Sequence, residues 1–349
     1  MNAQLNLQSD AGGPTLTNEQ ISFFHDNGYL ILKGVLSPAD VAEFKQRVDA
    51  FWAQKSNLAE LKIDCLDGPL CTPASNRYYF SEIDEAARQH SYKLNDAHLS
   101  DRVVARLSTH RRVIDAISDL LSATPLVCNS LIFERGSQQP AHFDTFYMPS
   151  KTPNMMCASW IAFDPVTGDN GPLFYYPKSH LLPPFLFSNG QIGWIDSESA
   201  DATAHIDRVI ADHGLEKVYF YPDPGDVLIW HAQLLHGGGA IADDSQTRMS
   251  LVTHYWTTLD FPNEGDWMPT PETGGLRLRR DHQAAHRMAA RRAAESTVRS
   301  LQTPAEHLVD IPAGFDPERY LLKYPDVLEA GIDPYSHYHQ YGRREGRTG

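Results

Sequence analysis

The spacing of apolar residues predicts two helices and a strand at the beginning of the chain. Residues 17–20, Thr-Asn-Glu-Gln, form a helix-capping sequence, and an apolar face follows it until the turn at Asn27-Gly28. The run 29–32, Tyr-Leu-Ile-Leu, predicts a strand. Ser37-Pro38 predicts the start of a second helix, whose apolar positions are Val41, Phe44, Val48, Phe51 and Trp52.

The middle of the chain changes to short β-branched or aromatic runs that are broken by Gly, Pro, Asn and Asp. This pattern predicts an all-β sandwich or barrel, and no alternation of strands with helices is visible in it. Residues 84–122 precede the runs and have a helical pattern. The predicted strands lie within residues 126–134, 155–164, 171–176, 217–221, 226–231 and 249–257.

The last part of the chain differs in composition from the barrel region. Residues 276–300 carry seven arginines, two acids and many alanines, which predicts an exposed helix. We therefore expect a flexible tail (1–14), a main domain (15–265), an Arg/Ala-rich helix with a linker (266–314) and a small helical module (315–349).

Charge and composition exclude several classes of protein. The chain has 44 acidic and 30 basic residues and a formal net charge of -14, so nucleic acid is not an expected partner. It contains no apolar run long enough to cross a membrane and no leader-like start, which predicts a cytoplasmic protein. Its four cysteines lack the spacing of a zinc site.

One histidine-aspartate pair and one later histidine form the candidate metal site. His142 and Asp144 are two residues apart on an expected strand, so their side chains would point to the same face. His236 is expected at the end of a strand that begins at Pro224-Gly225-Asp226, and His231 is expected in the same strand. Two histidines and one carboxylate form the facial triad that suits Fe(II) and leaves coordination positions open. We expect His236 and not His231, five residues earlier, to complete the triad.

Arg248 and Ser250 supply a candidate anion site. Turn-forming residues at 237–239 and 243–245 predict two antiparallel strands, one carrying His236 and the other carrying Arg248 and Ser250 on one face. A buried guanidinium with one hydroxyl can hold the distal carboxylate of a dicarboxylic acid. On an acidic protein, this arginine would be the local source of positive charge.

Five stretches in this order resemble the phytanoyl-CoA dioxygenase family of Fe(II)/2-oxoglutarate-dependent oxygenases. They are residues 16–31, PAHFD (140–144), DNGPLFYYPKSH (169–180), PGDVLIWHAQLLHGGG (224–239) and RMS (248–250). The resemblance implies a double-stranded β-helix (jelly-roll, cupin-like) core, mainly β, with N-terminal and C-terminal helices. It implies His142, Asp144 and His236 as ligands of Fe(II), Arg248 with Ser250 as the 2-oxoglutarate anchor, and O2 as the second co-substrate.

Other pocket residues are expected with less direct support from the sequence. Gln139 and Trp160 stand where family members contact 2-oxoglutarate, and Phe146, Tyr147 and Met148 are expected to form a substrate wall. Ordinary barrel packing is the alternative for all five. His180 is expected to be structural or near the substrate, and His254 to belong to the core or line the cavity. Residues 182–215 are either a lid or an extra substructure.

The resemblance implies an oxygenase that hydroxylates an unactivated C–H bond and releases succinate and CO2. An intact Asp144 favours hydroxylation, because halogenating relatives replace this carboxylate by a small residue, and desaturation and ring formation are the alternatives. The family's range of substrates implies a small-molecule or lipid-linked substrate. Residues 315–347 resemble a short unit of bacterial polysaccharide-biosynthesis proteins, which adds a glycan-related substrate as an expectation, and this module could contact protein or glycan. The alternative function is a non-catalytic or 2-oxoglutarate-independent metal-binding cupin-fold protein with a ligand-binding or regulatory role.

Overall fold

The protein was analysed as a computed structural model that describes residues 16–72, 75–285, 315–329 and 334–348. Contacts divide the chain into two compact units, residues 1–282 and 283–349. Within the described parts of the chain, no helix has the length and apolar character needed to cross a membrane. The first unit contains the helices α1 (Asn18–Asn27), α2 (Pro38–Ala53), α3 (Arg102–Ser108), α4 (Arg111–Leu121) and α5 (Ser199–Asp212).

The strands of the first unit form two sheets. In chain order they are β1 (Tyr29–Leu32), β2 (Lys62–Cys65), β3 (Arg77–Tyr79), β4 (Tyr92–Asn95), β5 (Pro125–Phe133), β6 (Cys157–Ala162), β7 (Leu173–Tyr175), β8 (Val218–Tyr219), β9 (Val227–His231), β10 (His236–Gly238), β11 (Ser250–Thr257), β12 (Trp267–Pro269) and β13 (Leu276–Leu278). The larger sheet has the order β1-β9-β6-β11-β5-β4-β2-β3, and β13 joins it beside β5 with β12 on its other side. The smaller sheet has the order β10-β7-β8.

This architecture confirms the predicted fold class, a mainly antiparallel jelly-roll with flanking helices. The opening helix, strand and helix lie where the apolar spacing predicts them, and both helices begin with a full capping box, at Thr17 and Ser37. Each of the six predicted strand regions contains a strand whose ends are within a few residues of those expected.

The structure differs from the sequence prediction in two segments. Residues 92–95 form the strand β4, although 84–122 has a helical pattern, because these residues pair with β2 and β5. Residues 276–278 form β13, and not the start of a helix, because they pair with β5 and β12. The sheet therefore continues beyond residue 265, and the rest of the expected helix, from residue 286 to 300, lies outside the described residues.

Every second side chain of β11 points to the inside of the barrel. Ser250, Val252 and His254 point to one face, because every second residue of a strand shares a face. In the register of the sheet Val252 is opposite Trp160 on β6, and His254 is opposite Asn129 on β5. The helices pack on the other face of the large sheet, where Phe44 of α2 stacks on Phe163 at 3.8 Å between ring centroids.

The insertion 182–215 is an ordered substructure. It contains α5 and contributes Phe185, Phe187, Trp194 and Ile206 to an apolar cluster with Phe146 and other residues that follow the histidine-aspartate pair. Its packing fits an extra substructure better than an isolated lid, because its apolar side chains are covered by the barrel residues next to them.

The second unit contains short helices at Pro317–Lys323, Pro325–Glu329 and Pro334–His337. Aromatic side chains form its core: Tyr320 is fully buried, its hydroxyl is 2.9 Å from Nδ1 of His337, and the ring of Phe315 packs against it. The division of the chain that places a separate module at 315–349, and the contacts of this module with protein or glycan, stay predictions.

Candidate metal and co-substrate site

His142 and His236 are joined by their backbones. The amide N–H of His142 donates to the carbonyl of His236 at 2.9 Å, and the reverse bond is 3.1 Å long. His236 begins β10 in the smaller sheet, whereas His231 ends β9 in the larger one. The expectation that both lie on one strand is therefore wrong, because the chain turns at residues 232–235 and crosses to the other sheet.

Asp144 reaches the same place from a turn and not from a strand. It begins the 3-10 turn Asp144–Phe146, and His142 makes only the bridge to His236. The expected strand geometry is thus wrong, yet the three side chains meet, with ligand atoms of His142, Asp144 and His236 all within 4.8 Å of one another. Oδ1 of Asp144 lies 3.6 Å from Nε2 of His236 and 3.9 Å from Nε2 of His142.

Hydrogen bonds orient each member of this cluster. Nδ1 of His142 lies 2.8 Å from the carbonyl of Pro140, and Nδ1 of His236 lies 2.8 Å from the carbonyl of Leu234. Since a carbonyl only accepts, each Nδ1 carries the proton and each Nε2 presents a lone pair to the cluster. Indole Nε1 of Trp230 donates to Oδ2 of Asp144 at 2.8 Å, which leaves Oδ1 facing the histidines.

The charge states of the cluster also suit a cation. Burial, followed by the neighbouring His236, lowers the pKa of His142 to about 3, so the imidazole stays neutral near pH 7. Burial alone would raise the pKa of Asp144, but the charges of His236 and His254 hold it well below its usual range. A neutral imidazole at His142 and an ionised carboxylate at Asp144 are the forms in which these two side chains ligate a metal.

His254 is a third histidine beside the Asp144 carboxylate. The sequence predicts that it belongs to the core or lines the cavity, and it favours the core. Its Nε2 lies 3.5 Å from Oδ1 of Asp144, and its Nδ1 lies 3.0 Å from Oδ1 of Asn129. Asn129 donates in turn to Oδ1 of Asp96 at 2.8 Å, which fixes the direction of the amide. Burial raises the pKa of Asp96 to about 6. A series of hydrogen-bonded polar side chains, from Asp96 through Asn129 on β5 to His254, therefore leads to the metal cluster.

Arg248 is buried without a carboxylate partner. It is 3% exposed, its guanidinium carbon lies 5.2 Å from the ring centroid of Trp160, and within the described residues its Nε has no hydrogen-bond partner. Burial lowers its pKa to about 10, so it stays cationic at neutral pH. Ser250 is fully buried, and its hydroxyl also lacks a partner among the described residues. Unpaired buried donors of this kind cost free energy unless a ligand satisfies them.

The expected hairpin that joins His236 to Arg248 is not formed. His236 is on β10, which pairs with β7, and Arg248 lies just before β11, which pairs with β5 and β6. Both residues nevertheless line one cavity, which is open to solvent. Its lining includes both cluster histidines, Asp144, Arg248, His254, Trp160 and Gln139, but not Ser250.

The three residues of the expected substrate wall point in different directions. Phe146 is buried in the aromatic cluster of the insertion, and Met148 is buried with its carbonyl accepting from Trp256. Tyr147 alone is 48% exposed, and its ring lies edge-on against the ring of His142 at 5.7 Å. Of these three residues, only Tyr147 has a position that suits the expected substrate wall.

His180 and His231 form a separate pair. Their ring centroids are 5.3 Å apart, and Nε2 of His180 lies 2.9 Å from the carbonyl of His25 at the end of α1. Gly28 gives this ring its space, since a Cβ there would lie 2.4 Å from His180 and its φ is +83°. His180 thus has a structural position, which is one of its two expected roles.

Glycine at 237 allows the backbone next to His236 to approach the opposite segment. A Cβ at this position would lie 2.7 Å from the carbonyl oxygen of Gln139 and 2.6 Å from the ring of Phe174. We expect Gly237→Ala to displace β10, lowering the unfolding free energy by about 1–3 kcal/mol and weakening metal binding. Denaturant unfolding and a metal titration measure both effects. Gly168→Ala is the matched control, because no atom lies within 4 Å of its Cβ position, and equal effects of the two variants would contradict the expectation.

Comparison with known proteins agrees with this geometry. The family model described as phytanoyl-CoA dioxygenase (PhyH) matches residues 24–250. A probable phytanoyl-CoA dioxygenase of Caenorhabditis elegans is 23% identical over 255 residues, which cover 70% of this chain and 76% of that protein. The peroxisomal phytanoyl-CoA dioxygenase of Homo sapiens is 20% identical over 240 residues, and the alignment spans only 64% of each chain.

Solved structures show the same fold. The 2-oxoglutarate-dependent carbocyclase SnoK from nogalamycin biosynthesis superposes with a TM-score of 0.52 at 20% identity, covering 71% of this chain and 88% of that one. EctD from S. alaskensis, crystallised with 2-oxoglutarate and 5-hydroxyectoine, has a TM-score of 0.51 at 20% identity, covering 72% and 80%. At these identities the likeness concerns the fold alone.

Two histidines and one aspartate inside a jelly-roll are the ligand set typical of non-haem Fe(II) oxygenases. Because the family model matches most of the chain, the protein belongs to the phytanoyl-CoA dioxygenase family. It is accordingly a dioxygenase whose cofactors are iron and 2-oxoglutarate.

Proposed function

We propose that this protein hydroxylates an unactivated C–H bond of a small-molecule, lipid-linked or glycan-related substrate. His142, Asp144 and His236 would hold Fe(II), and Arg248 with Ser250 would hold 2-oxoglutarate. The observation that carries the proposal is the unpaired guanidinium of Arg248, which lines the same cavity as the three ligand side chains. A cytoplasmic location and a bacterial source stay predictions.

The residues present fit both groups. The nitrogen and oxygen donors of the cluster are those that Fe(II) accepts, and their lone pairs already converge. The anchor offers a buried cation and a free hydroxyl, which is what one carboxylate of a dicarboxylic acid requires. When bound, iron and 2-oxoglutarate together activate O2 and oxidise the substrate C–H bond, with release of succinate and CO2.

The protein's own side chains orient the metal ligands and exclude bulk water from the reacting groups. Trp230 holds Oδ2 of Asp144, so that Oδ1 is presented to the metal position. Trp160, Leu131, Phe133 and Val252 line the cavity with apolar surface and keep bulk water from the reacting groups. The intact Asp144 supports hydroxylation, which needs no halide at the position of the carboxylate.

Anaerobic titration with Fe(II) and 2-oxoglutarate tests the proposal. The weak visible charge-transfer band of chelated 2-oxoglutarate is expected to appear, and succinate is expected to form when O2 is admitted. Absence of both would support the alternative, a non-catalytic or 2-oxoglutarate-independent metal-binding module, and would refute the proposal.

The hydrogen bond from Trp230 to Asp144 leads to a prediction about metal affinity. In Trp230→Phe the ring is kept but Oδ2 of Asp144 loses its donor, and we expect metal affinity to fall about 10- to 100-fold, as for other partners of ligating side chains. Isothermal titration with Co(II) measures the loss. Trp256→Phe is the control, because that buried indole donates to the carbonyl of Met148 and not to a ligand. An unchanged Co(II) affinity in Trp230→Phe would contradict the prediction.

A further inference from the structure

The cavity is most open beside His142. The His142 side chain is 13% exposed, compared with 7% for Asp144 and 7% for His236. Tyr147 lies on this side, because its ring contacts that of His142 with the centroids 5.7 Å apart, and it is 48% exposed. An exposed aromatic ring therefore stands beside the most exposed member of the cluster.

Trp194 extends the aromatic surface of Tyr147. The two rings are stacked with centroids 5.9 Å apart and planes at 29°. The backbone N–H of Trp194 donates to the carbonyl of Phe146 at 2.7 Å, and its indole N–H donates to Asp196 at 2.8 Å. These bonds fix the indole on the insertion, so both rings are held in place before any ligand arrives. We call this pair, Tyr147 and Trp194, the aromatic platform.

Charged groups at the cavity argue against an anionic substrate. Arg248 is the only Lys or Arg side chain in its lining, and the proposed function assigns that residue to 2-oxoglutarate. Lys93 is not part of that lining, and it lies 3.5 Å from Asp64, a carboxylate that also accepts two hydrogen bonds from Arg77. The remaining polar side chains on this side, Gln139 and Ser137, are uncharged hydrogen-bonding groups.

We propose, building on the proposed function, that the aromatic platform binds an uncharged hydroxylated ring of the substrate, such as a sugar residue. A saturated ring lies flat on aromatic faces by dispersion and burial of its C–H groups, while amide and hydroxyl groups bind its hydroxyls. Such a ring also carries the aliphatic C–H bonds that the enzyme class oxidises. The insertion thus supplies a binding residue that the barrel lacks.

Binding of simple glycosides tests this proposal. Protein loaded with Fe(II) and 2-oxoglutarate under argon is titrated calorimetrically with a panel of methyl pyranosides and disaccharides, with hexanoyl-CoA and with 2-naphthol. At least one glycoside is expected to bind. Its affinity should fall about tenfold or more in Tyr147→Ala and in Trp194→Ala, and less in Trp194→Phe, which keeps an aromatic face.

The controls separate this proposal from the proposed function. Tyr221→Ala removes a tyrosine that is 54% exposed and stacked on Tyr219, and not on Trp194 or His142, so this variant should bind the glycoside as the unmodified protein does. The charge-transfer band reports whether the site is loaded. A normal band with no glycoside binding, with tighter binding of 2-naphthol or hexanoyl-CoA, or with unchanged affinity in both alanine variants would overturn the platform proposal alone.

Discussion

Replacing Arg248 by methionine is expected to weaken 2-oxoglutarate binding by at least about 100-fold, because a buried charge-assisted contact with a carboxylate is lost. The affinity is measured by anaerobic titration of the charge-transfer band. The same variant is expected to be at least as stable as the unmodified protein without ligands, since it removes a desolvated charge that has no carboxylate partner among the described residues.

Two controls make the Arg248 prediction specific. Arg248→Lys keeps the charge but not the planar pair of donors, so its affinity for 2-oxoglutarate should be intermediate. Arg102→Met removes an arginine that is 82% exposed at its side chain, and no change is expected. Normal 2-oxoglutarate affinity in Arg248→Met, or a large loss of stability, would show that this arginine is a structural residue.

Asp144→Ala is expected to abolish succinate formation and to weaken Fe(II) binding by at least about 100-fold, because only two imidazoles remain and the indole of Trp230 loses its acceptor. Metal affinity is measured by titration under argon, and product by chromatography. The thermal stabilisation that Fe(II) gives the unmodified protein should also disappear in the variant.

Asp226 provides the matched comparison for Asp144. It is also a buried aspartate, but it accepts from Lys33 at 2.6 Å and from the backbone N–H of Gly34 at 2.9 Å, away from the cavity. Asp226→Ala should lower the unfolding free energy by about 1–3 kcal/mol while the folded protein keeps its metal affinity. If both variants bound metal equally well, Asp144 would not be a ligand.

Elements with a strong local pattern were predictable from the sequence. The two capped helices and the six barrel regions have regular apolar spacing, and each forms where that spacing predicts. β2, β3 and β13 were missed because they are short, partly exposed and stabilised by pairing with distant segments, which no local pattern records. β4 was assigned to a helical region for the same reason.

The candidate site shows a similar limit. Residue types and order were sufficient to select His142, Asp144 and His236, and the structure brings these together. The local geometry inferred for them was wrong, because a turn and a change of sheet, not strand alternation, make them converge. Trp230 and Trp194 carried no signal of their own in the sequence, since their roles depend on contacts between distant segments.

The apolar cluster of the insertion includes residues that adjoin the metal ligands: Phe143 precedes Asp144, and Leu235 precedes His236. Exchanging or lengthening residues 182–215 would therefore repack side chains next to two of the three ligands, although the backbone bridge and Trp230 also hold the ligands in place. Substrate preference and oxidative chemistry are thereby coupled through one shared apolar cluster. In evolution, and in the laboratory, a new substrate would then require compensating changes on both sides of that cluster.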